Sequence, residues 1–214
     1  MLPINELLLF SLAALGLVVT PGPNMIYLIS RSITQGRQAG LLSLAGVLTG
    51  FWVHILFVSA GLTAIFLAIP IVYELLRWLG VGYLLYLAWA AIKPGSVSPF
   101  EVKETVEATS TDSAGKLFRM GFLTNVLNPK VAVFYVSFFP QFTRPEYGSL
   151  WTQTVQLGIT QLLISATVNL LIVLSAARMA RWFQARPGYI RVQKWGVASI
   201  LMGLAVRMAV DKGK

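Results

Sequence analysis

Long uncharged runs of apolar residues alternate with short basic loops along this chain. The runs Leu7 to Ser30, Gln38 to Tyr73 and Tyr147 to Ala177 carry no charge, and each is long enough as a helix to cross a hydrocarbon core of about 30 Å. Three further runs are shorter in uncharged length but also predict spans: Ile71 to Ile92, Leu117 to Phe142 and Tyr189 to Val210. The pattern predicts an all-α membrane protein with six transmembrane helices.

Two of these spans, the first and the fourth, are interrupted near their centres by helix-terminating residues. The first contains Thr-Pro-Gly-Pro-Asn from Thr20 to Asn24, and the fourth contains Asn-Pro-Lys from Asn128 to Lys130. Lipid does not tolerate unbonded backbone groups, so each break must face protein or a water-filled cavity. A matched pair of broken spans indicates a transporter binding site near the membrane midplane. Simple proline kinks in packed helices are the alternative.

A charged stretch rich in turn residues divides the chain into two halves. We expect a first three-span repeat over 1–92, a cytoplasmic linker over 93–116 and a second three-span repeat over 117–214. Because three is odd, two such repeats must be inverted relative to each other in the membrane. Aligning Pro23 with Pro129 places the two breaks at equivalent positions.

The residues at the breaks predict new helix starts. Asn128 is a favourable N-cap, and the proline after it suits the first helical position, where a missing N–H costs nothing. In the first span a half-helix begins either at Gly22 or at Thr20, since each precedes a proline. Helix starts favour an anionic group such as a carboxylate.

The carbonyls that end the preceding half-helices complement these starts. Together with neighbouring asparagines, they suit an ammonium group, so the two breaks form a site for a zwitterion. The candidate substrate-binding residues are those of the two breaks and their polar neighbours: Pro21, Gly22, Pro23, Asn24, Asn125, Asn128, Pro129 and Lys130.

Lys130 is too central in its span to reach the water easily. A basic residue at such a depth costs about 2.5–3.5 kcal/mol on insertion scales, so it must have a compensating role. Two roles are open. The ammonium either caps carbonyls of the half-helix ending near Leu127, or it binds the substrate carboxylate or titrates.

One helix face of the second span combines small residues with a histidine. Gly46, Gly50 and His54 are four residues apart, a spacing that marks a close helix contact and turns His54 towards the bundle. Since the ordinary pKa of histidine lies near neutrality, His54 is a candidate for proton coupling, with a packed core residue as the alternative. The fifth span carries a polar row that either lines the path or forms interhelical hydrogen bonds: Gln161, Ser165 and Asn169.

The net charge of +9 reflects topology. Eleven basic residues lie in the loops after the first, third and fifth spans, against five on the other side, so these loops are predicted to be cytoplasmic and both termini outside. Nucleic-acid binding is therefore not expected. The N-terminal span lacks a basic leader, and we expect it to stay in the mature protein.

Few side chains suited to catalysis occur in the spans. The chain has no cysteine, one histidine and no aspartate within a span, so we expect neither an enzyme nor a metal site nor a cofactor. A passive channel and a non-transporting membrane assembly partner remain as alternatives to a carrier.

Several short motifs, taken in order, resemble the LysE/RhtB family of bacterial amino-acid exporters. They are Pro21-Gly22-Pro23-Asn24, Gly36-Arg37 with Gly40, Gly46 and Gly50, Gly80 with Tyr83-Leu84, Gly121, Asn128-Pro129-Lys130 and Pro140-Gln141-Phe142. One departure is Ala88, where the family often has glycine before Trp89.

The resemblance implies a function as well as a fold. It implies a multi-pass protein of the bacterial inner membrane that exports neutral amino acids or close derivatives by proton antiport. His54, the lack of an acid in the second span and the presence of Lys130 resemble the homoserine, threonine and leucine branch rather than the cationic branch. The implied partners are an amino-acid substrate, protons and bilayer lipid, with a homo-oligomer as an open alternative.

Overall fold

The chain folds into α-helices that pack side by side in a computed structural model describing residues 2–68, 70–94, 112–184 and 187–210. Within these residues, the only elements are eight α-helices and one short 3₁₀ helix at Pro145–Tyr147. The α-helices are α1 Ile4–Val19, α2 Pro23–Thr34, α3 Gly36–Ala68, α4 Pro70–Ile92, α5 Ala114–Val126, α6 Pro129–Phe142, α7 Leu150–Gln184 and α8 Pro187–Val210.

Helix boundaries follow local chemistry. Four helices, α2, α4, α6 and α8, begin at a proline, which is preorganised for the first helical position. The Ser113 side chain caps α5 by accepting a hydrogen bond from the Lys116 backbone N–H, so α5 begins within the predicted 93–116 linker. Residues 95–111 of that linker lie outside the described residues.

Both predicted breaks are present. The axes of α1 and α2 differ by 53° and those of α5 and α6 by 46°. In the first break, Gly22 is the N-cap of α2, so the start at Gly22 is confirmed and the alternative start at Thr20 is wrong; Thr20 instead ends α1. In the second break, Asn128 caps α6 as predicted.

The described helices include two long apolar segments, Gly36–Gly61 of α3 and Leu150–Ala176 of α7, that can each cross a membrane. Each bent pair, α1 with α2 and α5 with α6, passes the same test when taken as one span. These are the first, second, fourth and fifth predicted spans. The remaining helices, α4 and α8, have 23 and 24 residues and pack against each other.

The two broken spans are joined at both ends. At one end, the Phe10 ring of α1 packs edge-on against Phe139 and Phe142 of α6, with centroids 5.5 and 5.3 Å apart. At the other end, the Arg31 guanidinium of α2 pairs at 2.8 Å with Asp112, which precedes α5. Helix α1 is thus tied to α6, and α2 to the start of α5.

Asp112 is the centre of a polar cluster at the α2–α5 end. Its carboxylate accepts a hydrogen bond from Gln35 Nε2 at 2.9 Å and pairs with Lys116 as well as Arg31. The hydrogen bonds from Gln35 and Lys116 hold the pKa of Asp112 below its usual range. Close by, the Tyr27 hydroxyl donates to the Leu117 carbonyl at 3.0 Å.

Glycines bring α3 and α5 into backbone contact. A Cβ at Gly46 would lie 2.0 Å from the Phe118 carbonyl oxygen, and one at Gly121 would lie 2.2 Å from the Ser43 carbonyl oxygen. No side chain fits at these positions without moving a helix. The predicted close contact along the Gly46 face of α3 is confirmed.

Candidate functional site

The two breaks, which are about a hundred residues apart in sequence, meet in the interior. Asn128 Nδ2 donates to Asn24 Oδ1 at 3.0 Å, and Lys130 Nζ donates to the Thr20 carbonyl oxygen at 2.5 Å. All four residues are buried. The structure therefore places the two breaks at one location, as a shared site requires.

Lys130 caps a helix end, but a different one from that predicted. The predicted acceptor was the half-helix ending near Leu127, whereas the ammonium contacts Thr20, the C-cap residue of α1. Lys130 lies in the first turn of α6, from which its stem crosses to the opposite break. The last carbonyls of a helix lack intrahelical donors and carry its negative dipole end, which explains why they attract the ammonium.

Asn128 uses both ends of its amide. Its Oδ1 accepts from the Lys130 backbone N–H at 3.0 Å, which caps α6, while its Nδ2 holds Asn24. Because both groups are engaged within the protein, Asn128 positions the two breaks relative to each other.

A small cavity of about 30 Å³ lies between the breaks. This volume holds about two water molecules and is far below the roughly 300–1,000 Å³ of typical ligand pockets, so the structure shows the site closed. The cavity is lined by Leu17, Val18, Gly22, Asn24, Met25, Phe51, Asn128, Lys130, Val131, Gln161, Ser165 and Asn169.

The lining includes the polar row predicted on the fifth span. Gln161, Ser165 and Asn169 project from α7 into the cavity, and the Asn169 amide donates to Ser165 Oγ at 3.0 Å within the same helix. The apolar wall of the cavity was not predicted. Val18 and Val131 are close in sequence to the breaks, so they could have been predicted as lining residues. Nothing in the sequence distinguishes Phe51 as a lining residue.

The electrostatics of the cavity favour an anion. Lys130 is the one charged residue among the described lining residues, and its recorded partner is a carbonyl rather than a carboxylate. Residues of the first turns of α2 and α6 line the same space, namely Asn24, Met25, Lys130 and Val131, so the positive dipole ends of both helices lie beside it. Positive potential from one ammonium and two helix starts therefore converges on the cavity.

Four predicted substrate-binding residues do not line this cavity. Pro21, Pro23 and Pro129 shape the breaks, with Pro23 and Pro129 exposed at the helix starts. Asn125, which was also expected near the substrate, does not line the cavity. Its side chain faces α3, where a Cβ on Gly50 would lie 2.8 Å from the Asn125 Cβ, because the residue sits on the α3-packing face of α5.

Asn125 and His54 form a separate polar region next to the cavity. His54 Nε2 lies 3.2 Å from the Asn125 carbonyl oxygen, and since a carbonyl only accepts, Nε2 carries the proton. The His54 ring lies 5.4 Å from that of Tyr135, which in turn packs at 6.3 Å against Phe51 of the cavity wall. His54 thus faces the bundle as predicted.

No group of three or more His, Cys, Asp or Glu side chains suited to a metal ion occurs in the described part of the chain.

Broken apolar helix pairs around a cavity lined by both apolar and polar side chains are typical of a multi-pass membrane protein of the transport type. The LysE type translocator family matches residues 15–212, and the chain belongs to this family. The resemblance stated in the sequence analysis is therefore confirmed.

Similar proteins include efflux proteins and an uncharacterised one. The homoserine/homoserine lactone efflux proteins of Salmonella typhimurium and Salmonella typhi are each 30% identical to the chain over 196 residues, covering 90% of both sequences. An uncharacterised membrane protein of Pseudomonas aeruginosa is 26% identical over 208 residues, covering 97% of this chain and 96% of its own. No solved structure matches the chain.

Proposed function

We propose that this protein is a secondary transporter that exports neutral amino acids or close derivatives across the bacterial inner membrane in exchange for protons. The observation that carries the proposal is the convergence of Lys130 and two helix starts on one cavity between the broken spans. Membership of a translocator family supports transport, and the names of the Salmonella relatives support amino-acid efflux.

The substrate carboxylate binds Lys130 and the starts of α2 and α6. A charge-assisted hydrogen bond from a lysine to a carboxylate is stronger than one to a neutral carbonyl, so an incoming carboxylate draws the ammonium away from Thr20. The freed Thr20 carbonyl then accepts from the substrate ammonium. In the closed site, Lys130 therefore donates to the same Thr20 carbonyl that accepts from the substrate amine when substrate is bound.

The six-span inverted-repeat architecture belongs to the same proposal. Helix α3 of the first half packs against α5 of the second, and α7 of the second packs against α1 of the first. In addition, α3 packs against α7 and α4 against α8. A two-fold axis that exchanges the halves converts the α3–α5 contact into the α7–α1 contact and leaves the α3–α7 and α4–α8 contacts unchanged. This pairing of contacts supports the inverted arrangement.

Transport requires the cavity to open alternately to each side. Among the described residues of the site, two hydrogen bonds cross between the halves, Lys130–Thr20 and Asn128–Asn24. Rocking of one half against the other stretches these links and admits substrate.

His54 is proposed to carry the coupled proton. Its Nδ1 is the atom left to take up a proton while Nε2 donates to Asn125, and its position beside Tyr135 connects it to the cavity wall. His54→Gln keeps a hydrogen-bond donor but cannot change charge, so it should abolish uptake driven by a pH gradient while substrate-for-substrate exchange survives. Full pH-driven transport by His54→Gln would make the histidine structural.

Counterflow in proteoliposomes tests the main proposal. Purified protein is reconstituted with unlabelled amino acid inside, and transient accumulation of labelled amino acid is followed for a panel that includes homoserine, threonine, leucine and lysine. The proposal predicts saturable counterflow of neutral substrates and none of lysine. Flux without saturation or counterflow would indicate a channel, and no flux of any solute would indicate an assembly partner.

A further inference from the structure

Gln161 is a fully buried glutamine whose amide has no hydrogen-bond partner within the described residues. Both its Oε1 and its Nε2 are enclosed and unpaired, and the residue lines the cavity between the two breaks. Buried side-chain amides in native proteins are nearly always bonded, so an amide unpaired at both ends calls for a physical explanation.

Unlike Gln161, the other two members of the polar row on α7 have hydrogen-bond partners. One and two turns further along α7, Ser165 and Asn169 bond to each other, with Asn169 Nδ2 donating to Ser165 Oγ at 3.0 Å and to the Ser165 carbonyl at 2.9 Å. Gln161 lies on the same face but outside this pair. Its donor and its acceptor are therefore both free to bind a ligand.

The charges around the cavity define the ligand group that fits Gln161. Lys130 is the one charged side chain among the described lining residues, and no carboxylate lines the cavity to balance a cationic ligand. A primary amide offers two donors and one acceptor oxygen, which matches a group that both donates and accepts. A hydroxyl is the smallest neutral group with this property.

We propose that Gln161 determines specificity by forming hydrogen bonds with a hydroxyl on a short substrate side chain, while Lys130 holds the carboxylate. The inference rests on the transport function proposed above and assigns to one residue of the site a preference for hydroxy amino acids over their aliphatic isosteres. A site that forms hydrogen bonds with a substrate hydroxyl discriminates strongly against the apolar analogue, because that analogue leaves the site's own buried polar groups unpaired.

Two isosteric substrate pairs test the inference in the counterflow assay. Norvaline replaces the homoserine hydroxyl by methyl, and valine does the same for threonine. The wild type should prefer each hydroxy substrate over its isostere by at least about tenfold in apparent affinity. Gln161→Met keeps the length of the side chain but removes its hydrogen-bond donor and its strong acceptor. The variant should reduce this preference to about twofold, mainly by lowering the affinity for homoserine.

A matched control uses another glutamine of α7. Gln156 lies outside the cavity, where its Oε1 accepts from the Leu2 backbone N–H at 3.1 Å. Gln156→Met should retain the wild-type preference. Retention of the preference by Gln161→Met would overturn the inference.

Transport by the wild type distinguishes failure of the inference about Gln161 from failure of the proposed transport function. Equal transport of homoserine and norvaline would leave the carrier intact and overturn the role of Gln161. Absence of counterflow for every amino acid would overturn the proposed function itself. Since this comparison needs no variant, it decides the matter even if Gln161→Met fails to fold.

Discussion

The two breaks have the same architecture but contribute different chemistry. At the first break, the N-cap is Gly22, which has no side chain and adopts extended backbone, and the functional group is the Thr20 carbonyl. At the second, the N-cap is Asn128, whose side chain bonds on both sides, and Lys130 extends from the new helix. The first break provides backbone and space, and the second provides side chains.

The difference explains how a lysine is tolerated in the interior. The ammonium finds its acceptor across the cavity at Thr20, and its stem runs past the glycine, where a Cβ would lie 3.1 Å from Nζ. Because that acceptor is a neutral carbonyl, a carboxylate can replace it. We therefore expect substitutions at the second break to act through chemistry and those at the first through size.

The largest effect should follow replacement of the charge at the second break. Lys130→Met keeps a linear side chain but removes both the Thr20 hydrogen bond and the proposed carboxylate anchor. We expect counterflow to fall by about 100-fold, as for loss of one partner of a buried hydrogen-bonded charge pair. Since methionine inserts into the membrane at no greater cost than lysine, the amount of the variant protein in the membrane should not fall. Near-normal counterflow by this variant would exclude Lys130 as the anchor.

A size change at the first break should have the next largest effect. Gly22 has φ −170°, which a β-branched residue adopts without strain, so Gly22→Val tests space alone rather than backbone conformation. The added methyls displace the Lys130 stem, and we expect about a tenfold loss of counterflow. Gly82→Val is the matched control, since nothing lies within 4 Å of a Cβ there. Equal loss in both variants would show a general packing defect.

The two functions of Asn128 can be separated by a pair of substitutions. Asn128→Ser keeps an oxygen that caps α6 but loses the donor to Asn24, whereas Asn128→Leu loses both. The leucine variant should lose about 1 kcal/mol more stability in detergent, the usual worth of an N-cap. Substrate affinity should weaken several-fold in both. If only the leucine variant transports poorly, the Asn24 contact has no role in positioning the site.

The smallest effect is expected away from the breaks, at the cluster that ties α2 to α5. The hydrogen bonds from Gln35 and Lys116 lower the pKa of Asp112, so its ionised form stabilises the fold above the unfolded-state pKa, and this contribution is lost as pH falls through the lowered value. Asp112→Asn should therefore lower the unfolding temperature slightly at neutral pH and not at strongly acidic pH. The exposed Glu146 provides the control as Glu146→Gln. An equal decrease at both pH values would exclude the linkage.

The sequence predicted the breaks well because their signals are local. An N-cap residue followed by proline and a glycine before proline define helix starts without reference to the rest of the chain, and both starts lie where expected. The face that carries Gly46 and His54 was also predictable, since four-residue spacing places side chains on one side of a helix.

Contacts between distant segments were harder to predict. The acceptor of Lys130 lies in the other half of the chain, and Asn125, although three residues before Asn128, turns to α3 instead of the cavity. Both depend on how the helices rotate when they pack, which the periodicity of one helix does not determine. For the same reason, nothing in the sequence separated Gln161 from Ser165 and Asn169.

The most direct measurement of the central claim is competition in counterflow by analogues that lack a free carboxylate. Homoserinol and homoserine methyl ester keep the amine and the hydroxyl, and homoserine lactone, which appears in the name of the Salmonella relatives, is a cyclic ester. If Lys130 and the starts of α2 and α6 hold the carboxylate, unlabelled homoserine should inhibit uptake of labelled homoserine and these analogues should inhibit it poorly. Inhibition by homoserinol as strong as that by homoserine would contradict a site built from the two breaks around a carboxylate.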